Sequence, residues 1–203
     1  MKTKDKKIKA WWFAARDSDG KVRLPHGDGR EVVVGETLSV DGEIVACQNG
    51  LHASVRAIDA LQYAPGAVVC RVEVWGDLSK ESDKIAGRHR KVLWMADADS
   101  ALRHFACDCA EDACRVAKLT DERSINAIRV ARLYADGKAT SDELVAARAA
   151  VWVAARAAGW VAARAAARDA AWFAAGAAAG DAQNKALTKR LMALGKGKGR
   201  SDG

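Results

Sequence analysis

A chain of 203 residues, half of them apolar and only two of them proline, has enough material to bury a core as one large domain or two small ones, and is not a disordered polymer. Its formal charge of +7 is held by the ends: residues 1–9 carry +4 and residues 185–203 carry +5, leaving the body at −2. The excess charge is therefore not a cationic face of the fold, and the two basic tails read either as solubilising ends or as non-specific, salt-dependent binders of nucleic acid.

No stretch has the pattern of a signal peptide, because the apolar run after the basic start, residues 10–15, is short and Arg16 and Asp17 follow at once. The most apolar region, residues 144–179, carries Arg148, Arg156, Arg164, Arg168 and Asp169. Central arginines are costly in lipid, so no membrane span is expected and the cytoplasm is the expected compartment.

Residues 8–16 are aromatic-rich and β-like, and Asp17-Ser18-Asp19-Gly20 turns them toward residues 21–24. A glycine-rich loop over 25–30 leads to an extended run at 31–34. Residues 37–40 and 43–47 flank Asp41-Gly42, a hairpin signal, and Asn49-Gly50 marks another turn. Ser54 is placed to cap a short helix over 55–63 that Pro65-Gly66 ends. Val68, Cys70, Val72 and Val74 then alternate with Val69, Arg71, Glu73 and Trp75, which predicts a strand ending at Gly76. A last strand is expected over 90–94.

From Asp97 the apolar period becomes helical. Leu102, Phe105, Cys109, Ala113 and Val116 predict one helix, capped at Asp99. Thr120 or Asp121 begins a second, with Ile125, Ile128 and Leu133 as its stripe and Gly137 as its stop. Thr140-Ser141-Asp142-Glu143 is a capping box for a third. This third helix repeats itself: Ala-Ala-Arg-Ala-Ala-Val-Trp-Val at 146–153 returns as Ala-Ala-Arg-Ala-Ala-Gly-Trp-Val at 154–161. An eight-residue period turns each copy by about 80° around a helix, so Trp152 and Trp160 do not stack in line. Leu144, Val151, Ala158, Ala165 and Trp172 form a seven-residue seam suited to neighbouring helices or to a second copy of the chain. Trp152, Arg156, Trp160 and Arg164 are the candidate binding residues of this helix; a spiral of alternating cation and aromatic favours packing over nucleic-acid contact.

The expected architecture is α+β. A small mixed β-sheet domain with one short helix spans 10–96, an Ala-rich helical bundle spans 97–194, and basic tails occupy 1–9 and 195–203. Five cysteines, at 47, 70, 107, 109 and 114, include no Cys-x-x-Cys pair, and the four histidines (26, 52, 89 and 104) include no metal-ligand spacing. Reduced, mostly buried thiols are expected, with no metal and no cofactor. His26 lies in the glycine-rich loop, and Asp108, Glu111 and Asp112 read as a solvated helix face. Nucleophile elbow, P-loop and dinucleotide fingerprints are missing from the sequence.

Asn49-Gly50-Leu51-His52-Ala53-Ser54, followed by a short helix and the 68–76 strand, resembles the middle of ADP-ribosyltransferase and RNA 2′-phosphotransferase folds over about 28 residues. That resemblance implies a nucleotide-handling enzyme in which His52 contacts the nicotinamide ribose or its equivalent, with Glu73 or Glu81 as its carboxylate. No His or Arg stands in the first strand, where Trp11, Trp12 and Phe13 sit. More widely, residues 47–54, 59–63, 72–76 and 83–84 look like an uncharacterised domain of bacteriophage and prophage proteins. Residues 105–111, 127–136 and the Ala/Arg helix are similar to helical modules labelled immunity proteins of bacterial toxin systems. These resemblances imply a non-enzymatic protein that binds a host or toxin protein in an anti-defence or immunity-like role, with a homodimer through the Ala-rich helix as a further expectation.

Overall fold

The computed structural model describes residues 6–24, 29–116, 118, 120–149 and 169–198, and within 169–179 and 197–198 the backbone alone. The architecture is α+β, with elements in the order β1 (Ile8–Ala14), β2 (Thr37–Ser39), β3 (Leu51–Ala53), α1 (Ala57–Leu61), β4 (Val68–Lys80), β5 (Ile85–Asp97), α2 (Asp99–Val116), α3 (Glu122–Ala135), a helical run at 141–149 (α4) and α5 (Asp169–Lys198). They form two compact units. The first comprises Met1–Ala98 together with Leu187–Gly203; the second is Asp99–Ala186.

The first unit is built on the long antiparallel hairpin of β4 and β5, 13 residues each. Alternation sends Cys70, Val72 and Val74 to one face, where all three are fully buried. Each such side chain contributes roughly 1.5–3 kcal/mol by leaving water. β1 lies antiparallel to β4, pairing Ile8 with Val74 through to Ala14 with Val68. β3 and β2 share the other side of β5, at residues 85–87 and 89–91. All pairings are antiparallel, where a mixed sheet was expected. Just past β3, Ser54 and Trp11 exchange both backbone hydrogen bonds, at 2.7 and 2.9 Å, so the path β1-β4-β5-β3 returns to β1. Ala10, Leu38, Leu51, Ala53, Val72 and Val92 thereby enter one apolar cluster.

Two irregularities bend the hairpin hard enough for this return. The register shifts between Arg71 and Val72 and again between Trp75 and Leu78, where Gly76 takes φ +86°. Across the bend, a Cβ on Gly87 would stand 2.4 Å from Val74 Cγ1, so only glycine lets the strands approach. The predicted end at Gly76 is thus a bulge inside a longer strand.

Other expectations differ in detail. Asp41-Gly42 is a turn, with Gly42 at φ +84°, but it joins no hairpin, because β2 pairs with β5 and residues 43–47 form a tight loop. The run at 31–34 contributes only a bridge, Glu31 to Arg23. Ser54 caps nothing: its backbone is committed to Trp11, and α1 starts after Arg56 without a side-chain cap. Leu187 and Leu191, on the last turns of α5, are fully buried, and the backbone at Gly195 lies against the Trp94 ring. The expected tail from residue 195 is helical through Lys198, and residues from 187 group with the sheet and not with the helical half.

In the second unit, α2 and α3 are joined by side-chain bonds. Arg132 Nη2 donates to Asp108 Oδ1 and Glu111 Oε2, both at 2.7 Å, and His104 Nε2 lies 2.9 Å from Asp136 Oδ1. Asp121 accepts from the Ser124 amide and caps α3. The capping box forms as predicted: Glu143 N–H donates to Thr140 Oγ1 at 3.2 Å, and Thr140 N–H to Glu143 Oε2 at 2.7 Å. Buried apolar side chains are few among the described residues: Phe105, Cys107, Leu144 and Ala147. Trp152, Arg156, Trp160, Arg164 and most of the repeat lie outside the described residues, as do His26 and residues 1–5 and 199–203. Among the described residues no helix is long and apolar enough to cross a membrane.

Candidate functional site

A cleft of about 1020 Å³ lies in the sheet unit. β1 supplies Trp12 and Phe13, β3 supplies His52, and Tyr63, Lys84 and Arg90 come from the end of α1, the β4–β5 turn and β5. The volume suits a small organic molecule.

His52 is positioned from two sides. In β3, Leu51 and Ala53 are buried and the intervening His52 faces the other way, half-buried. Gly50, at φ +140°, starts the strand where a Cβ would press on Ala86 and Ile44. Asn49 ties the preceding loop together by donating to the carbonyls of Asp41 (2.7 Å) and Glu43 (2.9 Å). At the loop's apex Cys47 takes φ +64°, a left-handed conformation that costs a non-glycine residue about 1 kcal/mol or more. This conformation aims the Cys47 N–H at His52 Nε2, 2.9 Å away. Nε2 is therefore an acceptor already in use. Burial, then the positive charge of Arg90, hold the imidazole below its usual pKa against a hydrogen bond with Gly50, so it is neutral at pH 7.

At the rim, Cys47 Sγ lies 3.9 Å from Glu81 Oε1 and Lys84 Nζ 3.2 Å from Glu81 Oε2. The Lys84 ammonium also sits 4.9 Å from the Tyr63 ring centre, while the Tyr63 hydroxyl donates to Asp83. Hydrogen bonding to Cys47 first, and to Glu81 second, raises the Lys84 pKa. The phenol of Tyr63 is likewise raised, chiefly by Asp83.

Arg90 forms the floor. It is 2% exposed, its guanidinium stacks 3.9 Å from the centre of the Trp12 ring, and Nη1 donates to the His52 carbonyl at 2.7 Å. Burial pushes its pKa down to about 10, which leaves it charged at neutral pH. The neighbouring thiol of Cys70 is pushed up to about 12 by burial and stays neutral.

Of the residues singled out in the sequence, His52 lies in the cleft and Glu73 does not join it. Glu73 alternates to the opposite face of β4 from Val72 and Val74, where Lys7 Nζ approaches its carboxylate at 3.5 Å. Glu81 is the nearer carboxylate, engaged by Lys84. Among the described residues no group of three or more His, Cys, Asp or Glu is placed to hold a metal ion. The five cysteines are free; two are buried, two intermediate, and Cys47 is exposed. Arg90 was not marked out by the sequence because its strand was expected to begin there. With β5 starting at Ile85, an arginine two positions before the buried Val92 becomes a visible anomaly.

Residues 28–104 match a family described as a domain of unknown function, DUF7666. The match takes in β2–β5, α1 and the first residues of α2, and leaves β1 before it. No curated protein matches the chain, and no solved structure does. The match covers less than half of the chain and assigns no chemistry to the cleft.

Proposed function

We propose that the chain acts by binding and not by turnover: a phage- or prophage-encoded protein of the host cytoplasm that engages a host or toxin protein in an anti-defence or immunity-like role. The observation that carries the binding half of this reading is the state of His52. A general base needs a lone pair within reach of a substrate proton, whereas the Nε2 lone pair of His52 is taken by the Cys47 amide at 2.9 Å. Glu73, the carboxylate an ADP-ribosyltransferase reading would first enlist, faces away from the cleft. The biological setting rests on the resemblance of residues 47–54, 59–63 and 72–76 to phage and prophage domains.

The test is a pair of measurements on the full chain. Tagged protein is expected to retain one host or toxin protein at fixed stoichiometry from lysate, and NAD is expected to be neither bound nor consumed. Turnover of NAD that disappears in His52→Ala would overturn the binding reading in favour of the nucleotide-handling enzyme. Retention of DNA alone, lost on deleting 1–9 and 195–203, would replace it with action through the tails.

A further inference from the structure

We propose that Arg90 anchors a binding site, in the cleft of the sheet unit, for a small molecule that carries an oxyanion group, phosphate or carboxylate. This site is independent of which protein partner the chain engages. Nη1 of Arg90 is satisfied by the His52 carbonyl at 2.7 Å, but Nε and Nη2 are buried and have no partner among the described residues. Those two nitrogens form the edge of a guanidinium that offers parallel N–H groups to two oxygens at once. A buried charge left without a counter-ion is a strong destabilising element, and proteins seldom keep one without use.

Arg88, two residues earlier in the same strand, shows the ordinary solution. Its Nε and Nη2 both donate to Asp77 Oδ2, at 3.0 and 2.8 Å, and Nη1 and Nη2 also reach the carbonyls of Val40 and Gly42. Among the described residues no carboxylate bonds to Arg90. Its titratable neighbours are the thiol of Cys70 and the imidazole of His52, both neutral at pH 7. Trp12 covers one face of the guanidinium and fixes its plane.

The surroundings favour an anion. Among the described lining residues Arg30, Lys84 and Arg90 are cationic and Asp41 is the carboxylate, while Glu81 engages Lys84 at the rim. At about 1020 Å³ the cleft exceeds a bare ion, and Phe13, Leu24 and Leu51 line the space for an apolar body beside the charged head. Nε and Nη2 of Arg90 are buried, so binding includes a local shift of the side chains that cover them.

The experiment titrates the full chain with inorganic phosphate, pyrophosphate and acetate at constant ionic strength, with chloride as the control. The Arg90 Nε–H nuclear magnetic resonance signal and the melting temperature are followed together. The signal is expected to move saturably with phosphate or pyrophosphate for a phosphoryl head group, or with acetate for a carboxylate one. Arg90→Lys keeps the charge but loses the paired N–H groups, and is expected to bind at least about tenfold more weakly. Arg90→Met is expected to fold, because an apolar replacement removes an unpaired buried charge, and to lose the saturable response. An unmoved Arg90 signal with all three anions overturns the proposal, and so does an Arg90→Met protein that responds like the parent. If Arg90→Met does not fold, the parent signal and the Arg90→Lys affinity decide.

Discussion

The two units of this chain are held together by different physics. In the sheet unit, Ala10, Val69, Cys70, Val72, Val74 and Ala86 are wholly withdrawn from water, and the strands approach so closely that single glycines become obligatory. In the helical unit α3 has no buried residue among those described, Ile125 is half exposed, and α2 is joined to α3 by ion pairs around Arg132 and by the His104–Asp136 contact, all at least partly exposed. Exposed pairs contribute about 0–1 kcal/mol each, whereas one large buried aliphatic contributes two or three times that. Among the described residues, the deep burial that can hold a defined cleft is concentrated in the sheet.

The comparison is broken most forcefully at Gly87. Placing a branched side chain 2.4 Å from Val74 Cγ1 in Gly87→Val is expected to destabilise the sheet unit by about 3 kcal/mol or more, read as a loss of the cooperative urea transition. A variant that melts like the parent would mean the bend can relax. Next is Leu191→Ala, at a fully buried position of α5, expected to cost about 2–4 kcal/mol on chemical denaturation. A cost below about 0.5 kcal/mol, the usual range for surface sites, would remove the end of α5 from the sheet unit's core.

Acid gives the smallest effect and separates the units by pH. His52 has a folded pKa below its ordinary 6.5, so the unfolded chain binds its proton more readily. Its contribution to the sheet unit is complete above pH 6.5 and is lost as pH falls through the lower folded value. Glu111, held below 4.5 by the hydrogen bonds from Arg132, contributes above its ordinary value and loses that contribution at still lower pH. His52→Gln is expected to flatten the first step of a melting-temperature profile and leave the second; Arg132→Gln does the reverse. A single step unaffected by either change would show that other groups govern acid stability.

The sequence was most legible where a pattern had one physical meaning. The alternation of Val68, Cys70, Val72 and Val74 with their neighbours reads as a strand, and Thr140 with Glu143 can satisfy the first amides of a helix in one way. It was least legible where a partner lies far off in the chain. Asp41-Gly42 has the turn chemistry of a hairpin, yet Thr37–Ser39 found a better partner in β5, some fifty residues away. Ser54 has the side chain of a cap, but its backbone was claimed by Trp11. The cleft was half legible: His52 stood out as a histidine after a turn, while Lys84 and Arg90 enter because β5 begins five residues earlier than expected, and Cys47 enters through the fold of its loop. A buried arginine has no signature until the strand that buries it is known.

The placement of Leu187–Lys198 with the sheet has a consequence for biosynthesis. Residues that finish the first unit leave the ribosome nearly ninety positions after β5 does. Until then the indole of Trp94 lacks the helix backbone that lies against it at Gly195, and the nascent sheet presents an uncovered apolar surface. Translation through Leu187–Lys198, and not of the first hundred residues alone, is the event that completes the first unit.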